Sequence, residues 1–127
     1  MATFTLTEKT LPNDAKEVRA NPAQQSEGDR LLIVDRPLID QNGNQRGSFV
    51  LCGTYLRIFP AAPNNDVLMS FQVSNTFPEG VINTQGAIRF SEIAGGVTFA
   101  IVGGTGVYEK ARGTVTNKAG MFTFEVL

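Results

Sequence analysis

Apolar residues recur along the chain with period two or in short runs, and nowhere do they hold the i, i+3, i+4, i+7 spacing of an amphipathic helix over three turns. The pattern predicts an all-β protein. A first strand runs from Thr3 to Lys9, where Phe4 and Leu6 alternate with β-branched threonines suited to a pleated surface. The alternation then stops. Residues Thr10 to Asp29 carry Pro12, Pro22 and scattered charge with almost nothing to bury, which predicts a long polar loop, mobile or draped on the surface, with one helical turn near Asp14 to Arg19. Strands resume at Arg30 to Ile39 and Arg46 to Phe59, and Asn42-Gly43 between them suits a tight hairpin. After a turn at Pro60 to Asn65 come Asp66 to Asn75, Val81 to Phe90, Val97 to Val102, Arg112 to Asn117 and Met121 to Leu127, each bounded by Gly, Pro or Asn.

The count is eight strands in up-and-down order. Eight antiparallel strands close into a barrel whose interior fills with side chains or holds one small ligand, and closure removes the sheet edges. A two-sheet sandwich is the structural competitor. In Phe49 to Phe59 both parities are rich in apolar residues: Phe49, Leu51, Tyr55 and Phe59 on one, Val50, Cys52, Leu56 and Ile58 on the other. Such two-sided strands predict a barrel that packs its lumen and also hides part of its outer wall against a further subunit, hence a homo-oligomer. Which parity faces inward stays open at this level.

Composition narrows the chemistry. The chain has 127 residues, enough for one core and a single domain spanning 1–127. It contains no His and one Cys, which excludes Ser/His/Asp triads, Cys/His dyads, CxxC metal or redox motifs and an intrachain disulfide. No metal site is expected, and the acidic residues of the long loop lack a calcium-loop spacing. The formal net charge is −1, with no basic run to meet a phosphate backbone, so no nucleic acid partner is expected. There is no apolar run long enough to span a bilayer and no evident signal peptide, so a cytoplasmic location is expected.

Several residues have the chemistry for a site. Asp35 sits among Leu32, Ile33, Val34 and Pro37, an apolar setting that suits a carboxyl to acid or base work, although a strand-end turn explains it equally. Arg112, inside a barrel, would polarise a carbonyl or hold a phenolate; on the rim it would merely pair with Glu109 or Asp35. Glu8 is either a lumen base or the partner of Lys9. Tyr55 and Phe71 are candidate walls of a substrate site, and Asn83 and Gln85 share a parity that would give it neutral hydrogen-bonding groups. Cys52 has no base near it in sequence and reads as a small hydrophobe. Tyr108 reads as a packing residue.

The segment Phe99 to Val115, with its apolar strand, Gly103-Gly104-Thr105-Gly106, an aromatic Tyr108 and Ala111-Arg112-Gly113, resembles the allene oxide cyclase and dirigent protein superfamily. Val81 to Gly86, Leu68 to Phe71 and Asp35-Arg36-Pro37-Leu38 extend the resemblance upstream in order and spacing. It implies an eight-stranded antiparallel barrel, commonly trimeric, with a dimer as the lesser expectation. For activity it implies cofactor-free isomerases that fold a flexible apolar substrate toward ring closure, or barrels that guide the coupling of phenolic intermediates. Arg112 falls at the Arg of the dirigent motif, Asp35 at a dirigent acidic position, Glu8 near the first-strand Glu of the cyclases, and Cys52 close to a lumen Cys of theirs. Thr10 departs from the cyclases, which have Asn there. The expected function is therefore a cofactor-free cyclase or isomerase of specialised metabolism, acting on a small hydrophobic or phenolic substrate in the lumen. Arg112, Asp35 and Glu8 would be its catalytic residues, and Tyr55, Cys52, Phe71, Asn83 and Gln85 would line its substrate site. A non-catalytic dirigent-like or carrier barrel is the alternative, and a side-chain-filled scaffold the third reading.

Overall fold

A computed structural model describes residues 2–127. Among the described residues nine strands form: β1 (Ala2–Glu8), β2 (Ala15–Val18), β3 (Arg30–Ile39), β4 (Gln45–Phe59), β5 (Asp66–Phe77), β6 (Gly80–Arg89), β7 (Val97–Gly104), β8 (Gly113–Lys118) and β9 (Met121–Val126). They lie in one antiparallel sheet in the order β1-β9-β8-β7-β6-β5-β4-β3-β2, and β1 also pairs with β3, which closes an eight-stranded barrel and leaves β2 as an extra strand. Two 3₁₀ turns, Phe90–Gly95 and Gly106–Tyr108, interrupt the β6–β7 and β7–β8 connections. The barrel, and not the sandwich, is the fold.

Alternation decides which residues enter the lumen. On β5 the inward set is Val67, Met69, Phe71, Val73, Asn75 and Phe77, each at most 8% exposed, while the residues between them from Ser70 to Thr76 face out. Tyr55, Ile82, Ile101, Val115 and Phe124 complete a closely packed interior. Aromatic contacts run through it: Phe71 meets Phe99 edge-on at 4.9 Å between centroids, and Phe49 meets Phe122 at 5.6 Å. Glycine makes room for the large inward side chains: Met69, one inward position along β5 from the partner of Gly53, lies over it, and an added Cβ there would clash with the Met69 side chain. The lumen expected to hold substrate is thus filled by side chains over most of its length.

The long segment after β1 is more structured than a loop. Where a helical turn was expected, Ala15–Val18 forms β2, because its backbone extends the line of β1 along β3: Thr7 and Glu8 oppose Ile39 and Leu38, and Ala15 to Val18 oppose Ile33 to Arg30. Residues 20 to 29 are tied down by Asp29, 2% exposed, whose carboxylate accepts the N–H groups of Ala20 and Ser26. The Asp29 carbonyl and the Gly28 N–H bond the backbone of Tyr55, so this strap covers one end of the barrel. Beneath it, the Tyr55 hydroxyl donates to Glu17, which also accepts from Gln25 and Arg19.

Candidate functional site

At the opposite end the barrel is open. The β3–β4 hairpin, the β5–β6 turn, the start of β1 and the 3₁₀ turn at Gly106–Tyr108 enclose a cleft of about 600 Å³, within the size range of small-molecule sites. Its floor is apolar: Phe4, Leu6, Phe77 and Tyr108. Phe77 is the centre of this floor, with ring centroids 5.8 Å from Phe4, 5.7 Å from Phe124 and 6.0 Å from Tyr108, all near edge-to-face. Its rim is polar, with Arg46, Asp40, Gln41, Asn42 and Glu79.

The Gly-rich sequence explains how Tyr108 reaches this place. The β5–β6 turn lies backbone to backbone against the β7–β8 turn, and a Cβ on Gly80 would strike the Thr105 carbonyl, as one on Gly106 would strike that of Glu79. Both glycines have positive φ, +152° and +62°. The Val107 N–H bonds the Glu79 carbonyl, and Tyr108 follows directly onto the cleft floor. Burial pushes the Tyr108 phenol above its ordinary value; nearby Glu79 adds to this and Arg46 opposes it. The phenol therefore stays protonated at neutral pH and has a proton to donate, within the electrostatic reach of Arg46.

A second charged group lies inside the barrel wall, at the seam where β1 meets β3. Arg36, 8% exposed, grips both carboxylate oxygens of Asp14 at 2.8 and 2.9 Å and reaches Glu8 at 3.5 Å. Its hydrogen bonds, chiefly those from Arg36, hold the Asp14 carboxyl at about 2, while burial pushes Glu8 up against the counteracting pull of Arg36. With both carboxylates spent on one guanidinium, the cluster reads as a clasp on the seam.

The expected site residues are not brought together. Asp35 is exposed: β3 carries a bulge between Ile33 and Arg36, Asp35 takes φ +53°, and the inward position passes to Arg36. The apolar setting read around Asp35 is therefore absent. Glu8 is half-buried and pairs with Arg36, not with Lys9. Arg112 lies exposed just before β8, its carbonyl accepting the Leu127 N–H. Cys52 and Gln85 are exposed on the outer wall, and Asn83 is there too, bonded to Ser74 at 2.9 Å. Tyr55 and Phe71 do face the lumen, as packed core residues, 1% and 4% exposed. Tyr108 does pack, against Phe77 and the core, as the sequence indicates, while the cleft residues Arg46, Glu79 and Phe4 are not among the expected ones. The available signal was that Phe77-Pro78-Glu79-Gly80 and the Gly-rich turn are both end-of-barrel connections on the same mouth.

Residues 7–119 match the family model described as the allene oxide cyclase barrel like domain. The chain belongs to that family. No curated protein matches this allene oxide cyclase barrel-like chain. Among solved structures it is similar to a pyocyanin demethylase, with 18% identity and a TM-score of 0.79, covering 99% of this chain and 100% of that one. It is also similar to the Diels Alderase AbmU from Streptomyces koyangensis, with 20% identity and a TM-score of 0.69, covering 99% of this chain and 64% of AbmU. A third is described as a nonspecific heme-binding cyclase that catalyzes a 4 + 2 cycloaddition during neoabyssomicin biosynthesis; identity is 22%, TM-score 0.68, and coverage 96% and 62%. The chain thus spans under two thirds of the length of these two cyclases. At such identities the likeness establishes the barrel.

Proposed function

We propose that this protein is a cyclase that folds an apolar, unsaturated chain over the aromatic floor of the mouth cleft and guides an intramolecular ring closure. The observation that carries the proposal is the convergence of an edge-to-face aromatic floor with one protonated phenol and one cation in a cleft of about 600 Å³. The match to the cyclase barrel family and the likeness to two cycloaddition enzymes support the same reading. In the step we envisage, Tyr108 donates a hydrogen bond to a carbonyl conjugated to an alkene, with Arg46 stabilising the charge that gathers on that oxygen. The electron-poor alkene then closes on a diene of the same chain. Two carbon–carbon σ bonds form as three π bonds become one, no atom enters or leaves, and no redox cofactor is required. Most of the acceleration comes from holding the reacting ends together in a folded conformer.

The test is the closure of a linear trienone, a diene and an enone on one chain, followed by chromatography as appearance of an isomer of unchanged mass. Acceleration by the protein, saturable in trienone, is the expected result. Saturable binding without acceleration would overturn the cyclase and leave the carrier barrel.

We further propose that the barrel self-associates through its outer wall. Where they cross β4 to β7, three cross-strand rows on this wall, Cys52-Gln72-Gln85-Ala100, Val50-Ser74-Asn83 and Thr54-Ser70-Ala87, carry no charge, and charged residues stand only at their ends, as Arg30 does opposite Thr54. The exposed faces of soluble domains are roughly one quarter to one third charged, and charge is depleted at interface cores. A wall of Gln, Ser, Asn and Thr donates and accepts hydrogen bonds equally, so a second copy of itself is its natural complement.

A further inference from the structure

Among the described residues, one buried side-chain polar atom lacks a hydrogen-bond partner: the Thr84 hydroxyl, in a residue 1% exposed. It points into the barrel from the middle of β6, opposite Val73 on β5 and Ile101 on β7 and next in its own inward row to Ile82. All three neighbours are aliphatic and buried, so valine, with the same shape, would fill the position without an orphaned hydroxyl. Asn75, the other uncharged polar residue of the interior, has its amide committed to the Ile82 carbonyl at 3.1 Å.

We infer that Thr84 is the inner end of the ligand site, a subsite that donates a hydrogen bond to a carbonyl at the leading end of an apolar molecule entering from the mouth. This inference rests on the reading of the cleft as a ligand site. The path to it begins at Phe77: inward residues on β5 run Phe77, Asn75, Val73, and Thr84 lies across from Val73, roughly 13 Å along the strand from the floor of the cleft. Phe77 is held on the cleft side by aromatic edges, and it leans on β4 where Gly47 leaves room; a Cβ there would stand 2.6 Å from its ring. Beyond Thr84 the β5 row continues with Phe71 and then Met69, a flexible, unbranched side chain lying over Gly53. The interior of the free protein is filled, so on this inference Phe77 rotates to admit the ligand and Met69, past Thr84, yields the depth for a flat two-ring body. A substrate with two polar groups would then be read at both ends, by Tyr108 at the mouth and by Thr84 inside.

The experiment compares 2-acetylnaphthalene with 2-isopropenylnaphthalene, near-isosteres of which only the ketone accepts a hydrogen bond. It is done on the full chain carrying Tyr108→Phe, so that the mouth phenol cannot supply the preference. The expected result is ketone binding about tenfold tighter than the alkene, a ratio retained by added Thr84→Ser and abolished by added Thr84→Val. Thr84→Val alone should also raise Tm by roughly 4 °C, because it removes an unsatisfied hydroxyl. A lowered Tm would overturn the inference, since the hydroxyl would then already be satisfied within the free protein. So would equal binding of the two probes, which leaves the cleft as a ligand site and removes Thr84 from it. Binding of neither probe to the wild type would overturn this subsite and the cleft reading together.

Discussion

At the residue scale, one backbone irregularity decides which charge enters the barrel. On an unbroken strand, Leu31, Ile33 and Asp35 would share the inward face, and Asp35 would be the buried carboxyl. The bulge after Ile33 inserts one residue, so Asp35 turns out with positive φ and Arg36 turns in. A bulge leaves no periodic trace, which is why alternation alone selects the wrong member of the pair. Replacing Arg36 by Met strands Asp14 and Glu8 without their cation, and should lower the urea midpoint of unfolding. At the mouth, Tyr108→Phe removes the donor while keeping the floor ring. It should reduce kcat on a trienone about tenfold with little change in KM or Tm, because the bond strengthens as charge develops. Equal rates for the two proteins would remove Tyr108 from the reaction.

At the element scale, the seam between β1 and β3 is the thinnest part of the barrel, with only Thr7–Ile39 and Glu8–Leu38 in register before the 9–14 excursion. Asp14 returns from that excursion to Arg36, and its carbonyl accepts the Val34 N–H, so one residue ties the seam twice. The Asp14 carboxyl is held at about 2 against an ordinary 3.8, as is Asp66 through Ser91 and Arg89. Both pKa values are lowered, so their stabilisation is complete above about pH 4 and is lost as pH falls toward 2. Glu8, raised by burial, acts in the opposite sense, favouring the fold below 4.5 and less so as pH rises through its own value. Urea midpoints measured from pH 6 to 2.5 should therefore fall steeply in the wild type and less steeply in Asp14→Asn. Identical slopes would remove Asp14 from the acid response. The strands themselves were legible in the sequence, from the alternation of Val67 to Asn75 to the Asn42-Gly43 hairpin, because local pattern and tertiary environment agree there. β2 was not, since Ala-Lys-Glu-Val has no two-sided pattern and becomes a strand only because β3 offers it an edge.

At the scale of the whole molecule, the described residues make a barrel with a filled interior, a strapped end and an open mouth. The position of that entrance was not readable from the chain, because it is made by β1, the β3–β4 hairpin and two turns that are distant in sequence and meet only when the sheet closes. The uncharged stretch of outer wall on β4 to β7 carries its own prediction: light scattering should give a mass of more than one chain, and Gln72→Lys with Gln85→Lys, adjacent across β5 and β6, should reduce it to the monomer. A wild-type monomer would contradict the proposed self-association without touching the cleft. If the mouth cleft folds a substrate into one reactive conformer, the diastereomer ratio of the closed trienone formed under excess protein reports it. One diastereomer is expected with the wild type, and a return toward the uncatalysed mixture with Phe77→Ala, which removes the centre of the floor. The uncatalysed mixture from the wild type would contradict the proposed folding of the substrate.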